Sequence, residues 1–265
     1  AILFGIVEGI TEWLPISSTG HMIILDELVK LNVSDAFREM FLVVIQLGAI
    51  LAVVVLYFKK LWPFSTKEKF FIKKDTFGMW FKILAACIPA AIVGVFFDDK
   101  INELFYNYQT VAAMLIIFGV LFIVIENYNK GRKPVMNSIA EITWKAAIGV
   151  GLFQLIAAVF PGTSRSGATI LGGILLGMSR TTAAEFTFFL AVPVMAGASL
   201  LKLVKFGLAF SASEAVILIV GMVVAFVVSI IVIKFLLNYI RRNDFKAFGW
   251  YRIVLGVLVI LFFSL

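Results

Sequence analysis

The sequence predicts an all-α polytopic membrane protein of two inverted-topology repeats, each a re-entrant helical hairpin plus three transmembrane helices. Three observations carry that expectation. The composition is 62% hydrophobic and 15% charged over 265 residues, with a mean hydropathy of +1.06, which sets the chain apart from soluble domains. The apolar residues form runs long enough to cross a bilayer, separated by polar loops. A polar, proline-broken stretch near the start also recurs in the second half.

That stretch, residues 5–24, sets Glu8, Glu12, Ser17, Ser18, Thr19 and the only histidine, His21, in an apolar background. A charge at the bilayer centre costs at least ~2.5–3.5 kcal/mol, so such groups mark function by default. Glu8 and Glu12 lie one turn apart on one helix face. Pro15 cannot continue that helix and pushes Leu14 out of the helical region. Ser17 to Gly20 then reads as a turn with a hydroxyl to cap a second helix beginning near Ser18.

Sliding the sequence on itself by 146 places Gly5 on Gly151, Pro15 on Pro161, Ser18 on Ser164, Ile24 on Ile170 and Glu39 on Glu185. Gln154 then stands where Glu8 stood, Ala158 replaces Glu12, and Arg165 falls on Thr19. Carboxylates gather in copy one and the cation in copy two, as expected if the two breaks face each other and share a ligand. Chance likeness of two apolar stretches is the competing explanation. It accounts poorly for matched Gly, Pro, Ser and Glu.

The elements follow in order. Hairpin 1–30 leads through polar residues 26–38 to a span at 40–58. Lys59, Lys60, Lys67, Lys69, Lys73 and Lys74 mark the next loop as cytoplasmic by the positive-inside rule. A second span runs over 78–97, with Pro89 a tolerated kink. Asp98, Asp99 and Glu103 against Lys100 place the following loop outside. A third span covers 111–125, and Lys130, Arg132 and Lys133 return the chain to the cytoplasm. Repeat one is thus 1–127 and repeat two 128–265, within one integral membrane domain. A re-entrant hairpin returns to its side of entry and three spans are odd in number, so repeat two must be inverted. It holds hairpin 145–177, span 183–204, an outside loop at 206–213, span 215–237, the basic loop Arg241, Arg242 and Lys246, and span 249–265. Counting each hairpin as a full span gives eight spans instead of six. The two prolines and their polar neighbours argue against it. Glu39 and Glu185 are read only as caps for the spans near them.

The single cysteine, Cys87, excludes an intrachain disulfide and a thiolate metal cluster, and is expected to face lipid or fill core. The net charge of +7 sits in loops between apolar spans, which argues against a nucleic-acid partner. No cleavable signal peptide is expected, because the first apolar segment carries Glu8 and Glu12.

Residues 161–169, Pro-Gly-Thr-Ser-Arg-Ser-Gly-Ala-Thr, combine small residues, hydroxyls and an arginine at the head of a helix. Backbone N–H groups at a helix N-terminus bind anions, Gly162 and Gly167 permit close approach, and Arg165 adds a fork suited to phosphate. Helix packing explains the glycines, which continue through Gly172, Gly173 and Gly177, but not an arginine inside the membrane. Ser18 is a nucleophile once a base is near, and a phosphate held by Arg165 is its electrophile. Ser17 has capping as a sufficient role. His21, one turn beyond Ser18, is structural or catalytic. Glu8 and Glu12 act as base, orient His21, or bind Mg²⁺ or Ca²⁺ together with phosphate oxygens.

At these residues the sequence resembles the bacterial undecaprenyl-diphosphatase (bacitracin-resistance) family. Its Glu/Gln-x-x-x-Glu motif is matched by Glu8 to Glu12, and its Pro-x-Ser-Ser-Thr-Gly-His motif by Pro15 to His21. Pro161 to Thr169 match Pro-Gly-x-Ser-Arg-Ser-x-x-Thr, and the likeness extends through Gln46-Leu47-Gly48 and Ala191-Val192-Pro193. The resemblance implies hydrolysis of undecaprenyl diphosphate to the monophosphate and phosphate, which recycles the lipid carrier of cell-wall synthesis, with a divalent cation. It implies Glu8, Glu12, Ser18, His21 and Arg165 at the active site, in a plasma-membrane protein whose cavity opens to the outer face.

Joined to the residue chemistry, these expectations make Glu12, Ser18, His21 and Arg165 catalytic and Glu8 and Glu12 the ligands of Mg²⁺ or Ca²⁺. Ser17 and Thr19 on the first break bind substrate, as do Gly162, Thr163, Ser164, Ser166 and Thr169 on the second. Ser18 attacks the terminal phosphorus with Glu12 or His21 as base, or water attacks directly. The partners are a polyprenyl diphosphate lipid and the surrounding membrane lipid, with a homodimer left open. The alternative class is a transporter or flippase of polyprenyl phosphate, for which broken helices in inverted repeats are also suited.

Overall fold

A computed structural model describes residues 1–66, 71–207 and 210–264. Lys67 and Lys69 of the expected basic loop, part of the loop at 206–213 and the last residue of the final span lie outside the described residues. The described chain is helical throughout. Its helices are α1 (Ile2–Thr11), α2 (Ser18–Leu28), α3 (Asp35–Val44), α4 (Gln46–Leu56), α5 (Phe58–Leu61), α6 (Lys74–Phe96) and α7 (Asp98–Phe105), then α8 (Tyr108–Tyr128), α9 (Trp144–Val159), α10 (Arg165–Leu175), α11 (Arg180–Phe206), α12 (Ala212–Ile240) and α13 (Lys246–Ser264), with a 3₁₀ turn at Ile139–Glu141.

Among the described residues six segments are long and apolar enough to cross a membrane: Asp35–Leu56, built from α3 and α4, and then α6, α8, α11, α12 and α13. The protein is therefore a multi-pass membrane protein. The helices α1, α2, α9 and α10 have 10, 11, 16 and 11 residues. At 1.5 Å per residue each reaches ~15–24 Å, short of a hydrocarbon core of ~30 Å. Both α1 with α2 and α9 with α10 pack on each other, so neither broken stretch is a single span and the count of eight fails.

The spans begin earlier than hydropathy predicts. Polar caps set their ends: Ser34 Oγ accepts from the Phe37 N–H at 3.2 Å, Asn107 Oδ1 from Thr110 at 2.8 Å and Ser179 Oγ from Thr182 at 3.2 Å. Ser211 and Glu214 form a capping box on α12. Hydropathy reports the apolar stretch, whereas the cap fixes where the backbone enters the helix. Pro89 and Pro193 lie inside α6 and α11.

Large apolar side chains point outward along the spans, as Val216, Ile219, Val223, Val227 and Ile231 do on α12. Their spacing of three to four residues is one helix face turned to lipid. The interior is aromatic: Trp13 meets Phe188 edge-on with centroids 5.3 Å apart, and Tyr57 packs on Phe189. Cys87 is buried and belongs to this core. Close crossings are made at glycines. α4 approaches α12 so nearly at Gly48 that any β-carbon there would overlap the Met222 carbonyl. In the same way α1 lies on α12, α9 on α6 and α8 on α13.

Glu39 and Glu185 do not cap. Glu39 accepts from Lys202 Nζ at 2.5 Å, joining α3 to α11, and Glu185 accepts from Lys60 at 3.0 Å, joining α11 to α5. Each pair links a residue of the first half to one of the second, a partner choice that sequence neighbours do not reveal.

Candidate active site

The first break forms earlier than Pro15 itself. A proline ring collides with the carbonyl four residues back, and here α1 ends at that residue, Thr11, with Glu12 at the C-cap and its N–H on the Glu8 carbonyl. Ser17 then adopts φ +75° and heads α2, its Oγ accepting from the Gly20 N–H at 3.2 Å. The second break repeats this. Ser164, at φ +70°, heads α10 and accepts from the Gly167 N–H at 3.1 Å. Positive φ is costly for a residue with a β-carbon, ~1–3 kcal/mol, so both helices start from a strained serine.

This geometry corrects the register. Ser164 corresponds to Ser17, not Ser18, and Arg165 stands in the place of Ser18, because the second turn has one more residue between its proline and its cap. The extra residue is accommodated at Gly162, where φ is +90° and a β-carbon would collide with the Val111 carbonyl of α8.

The two breaks meet at Glu12. Its Oε1 accepts from Arg165 Nη2 at 2.7 Å and its Oε2 from Ser18 Oγ at 3.0 Å. Arg165 is held from behind: Nη1 donates to the Thr187 carbonyl at 3.0 Å, and Thr187 Oγ1 donates to Thr169 Oγ1, which in turn donates to the Arg165 carbonyl at 2.8 Å. Thr169 is thus buried behind the arginine. Glu8 lies one turn before Glu12, 1% exposed, with Oε1 lacking any hydrogen-bond partner among the described residues. In the second copy Gln154 is buried on α9 with its amide 3.5 Å from the Ala86 carbonyl.

A residue that sequence reasoning missed pins the junction. Arg252 of α13 is fully buried and donates to the carbonyls of Thr163 at 2.7 Å, Gly162 at 3.0 Å, Pro15 at 3.3 Å and Met114 at 3.4 Å. One guanidinium therefore ties both breaks to α8. A lone arginine in the last apolar span was the available signal. It bonds to carbonyls and not to carboxylates, so its charge adds to a positive field at the breaks.

His21 does not bond to Ser18. Its Nδ1 is 2.8 Å from the Ser17 carbonyl and its Nε2 2.7 Å from the Tyr251 hydroxyl. Of the two bases considered, the structure brings Glu12 to Ser18. Thr163 is buried with an unpartnered hydroxyl, Ser164 and Ser166 share a hydrogen bond of 3.1 Å, and Thr19 sits half-buried in the first turn of α2. No group of three or more His, Cys, Asp or Glu side chains suited to a metal exists among the described residues. The donor set that exists, two carboxylates with one unpartnered buried oxygen, fits a hard cation that completes its shell with phosphate oxygens and water.

A family model described as Bacitracin resistance protein BacA matches residues 1–258. This chain belongs to that family. Its relatives include an undecaprenyl-diphosphatase of Desulfitobacterium hafniense, 69% identical over 100% of this chain and 95% of the relative. Undecaprenyl-diphosphatase 1 of Clostridium acetobutylicum is 66% identical over 99% and 96%. An undecaprenyl-diphosphatase of Enterococcus faecalis is 59% identical over 98% and 95%. The junction of Glu12, Ser18 and Arg165 thus lies in a chain similar along its whole length to enzymes named for cleaving a lipid diphosphate.

Proposed function

We propose that the protein hydrolyses undecaprenyl diphosphate to undecaprenyl phosphate and inorganic phosphate, recycling the lipid carrier of cell-wall synthesis. The observation that carries the mechanism is Glu12 holding Ser18 and Arg165 together across the two breaks. The incoming diphosphate takes the Arg165 fork and the free N–H groups heading α2 and α10. Glu12, released from the arginine, accepts the Ser18 proton while Oγ attacks the terminal phosphorus. The anhydride bond breaks, undecaprenyl phosphate leaves, and water then cleaves the phosphoserine to release inorganic phosphate. Glu8 and Glu12 are the residues that would hold Mg²⁺ or Ca²⁺, which would neutralise charge on the phosphates.

The fold is read as two inverted repeats, 1–127 and 128–265. Supporting this, α1 packs on α12 while α9 packs on α6, and Glu39–Lys202 mirrors Lys60–Glu185. The basic loops are assigned to the cytoplasm and the cavity to the outer face of the plasma membrane. Transport is not favoured, since it has no use for a serine bonded to a carboxylate opposite an arginine.

The test is phosphate release from a polyprenyl diphosphate by purified protein in detergent, with and without chelator. Activity is expected to be chelator-sensitive and lost in Glu12→Ala and Arg165→Ala. Intact protein that releases no phosphate refutes the reading. A phosphoenzyme that persists in Ser18→Ala removes Ser18 as the nucleophile.

A further inference from the structure

We propose that Tyr251 is the positioning residue that fixes the tautomer and orientation of His21, so that the imidazole exchanges its one mobile proton at Nε2. The inference rests on His21 taking part in the diphosphatase reaction. A carbonyl only accepts, so Nδ1 must carry the hydrogen that it shares with the Ser17 carbonyl at 2.8 Å. That leaves Nε2 as the nitrogen whose protonation varies, and its partner is the Tyr251 hydroxyl at 2.7 Å. The two rings lie side by side and nearly coplanar across this hydrogen bond, with centroids 5.7 Å apart and planes 9° from parallel.

A phenol both donates and accepts. Neutral His21 accepts from it at Nε2, and the imidazolium donates to it, so the proton comes and goes without the ring turning. The Ser17 carbonyl belongs to the strained cap of α2, one residue before Ser18. The imidazole is thereby tied to the backbone that aims the nucleophile. Tyr251 adjoins Arg252, the charged group facing the imidazole, so one turn of α13 both pins the breaks and orients the histidine.

The test compares Tyr251→Phe, Tyr251→Ala and His21→Gln by steady-state phosphate release across pH. Tyr251→Phe keeps the aromatic ring and loses only the hydroxyl. It is expected to lower kcat about tenfold or more, as losing a histidine's orienting partner does, with KM within about twofold and the pH limb that His21→Gln abolishes displaced. A packing role alone would leave Tyr251→Phe like the wild type and impair only Tyr251→Ala. Wild-type kcat and pH profile in Tyr251→Phe, with His21→Gln inactive, overturn the inference alone. Full activity in His21→Gln overturns it together with the assignment of His21.

Discussion

Glu12 and Arg165 come from chain segments 153 residues apart, and a double-substitution cycle measures what their contact contributes. Their side chains are 8% and 13% exposed, so solvent screens the pair little. With the charge centres ~4 Å apart and an effective dielectric of ~20, the attraction is ~4 kcal/mol. Removing one partner of a buried pair costs ~3–5 kcal/mol, because the other charge stays behind unpaired. The two single changes differ. Arg165→Met leaves Glu8 and Glu12 together without that cation, whereas Glu12→Gln leaves an arginine still bonded to the Thr187 carbonyl. Arg165→Met is therefore the more damaging, by ~1 kcal/mol or more at the strength of a charged hydrogen bond. For a chain of this size ~1 kcal/mol moves Tm by ~2–4 °C, so each single variant falls by about 6–20 °C in detergent. The double variant Glu12→Gln with Arg165→Met loses much less than their sum. Tm is read by fluorescence-detected size exclusion after heating, independently of activity. Strictly additive Tm losses, or single variants melting like the parent, refute the claim that this contact joins the breaks.

Two further outcomes follow from the same geometry. Arg252→Lys keeps the charge but not the planar fork, and a shorter side chain ending in one nitrogen replaces the two that reach Pro15 from Nη1 and Gly162 and Thr163 from Nη2. Activity is expected to fall at least tenfold and Tm by several degrees, both read on one preparation; parental values would contradict the bracing role. With Cys87 replaced by Ala, an impermeant maleimide should label Leu28→Cys in intact cells and Val135→Cys only after lysis, both sites being exposed; the reverse pattern would invert the assigned orientation.

The legible part of this protein was the part written locally. Glu8, Glu12, Pro15, Pro161 and Arg165 announce themselves because a carboxylate, a proline or an arginine in an apolar run conflicts with its surroundings, and the conflict is visible within one or two turns. The helix ends were blurred because Ser34, Asn107 and Ser179 act through one hydrogen bond each, outside the apolar window. The slip of one residue between Ser17 and Ser164 was hidden because the prolines align better than the caps do. Arg252 stood out only as an arginine in the last apolar span, and what it and Tyr251 bind was illegible for a different reason. Arg252 donates to backbone carbonyls, which every residue carries, and the partner of Tyr251 lies 230 positions away. Nothing in the local pattern distinguishes them from an interfacial anchor near the start of a span.

The charge arrangement of the site ties ligand binding to its buried ion pair. Two carboxylates and two guanidiniums balance formally, but they are not equivalently paired. Arg165 is held by Glu12, Arg252 by carbonyls, and Glu8 keeps an unpartnered oxygen. A diphosphate that takes Arg165 replaces one anion on the fork by another, so the arginine stays satisfied throughout. The group left unbalanced is the pair of carboxylates, buried one turn apart. In the proposed reaction Glu8 and Glu12 would hold a divalent cation, whose charge would balance the pair beside the phosphates. Substrate and divalent cation should therefore bind cooperatively, each weak alone.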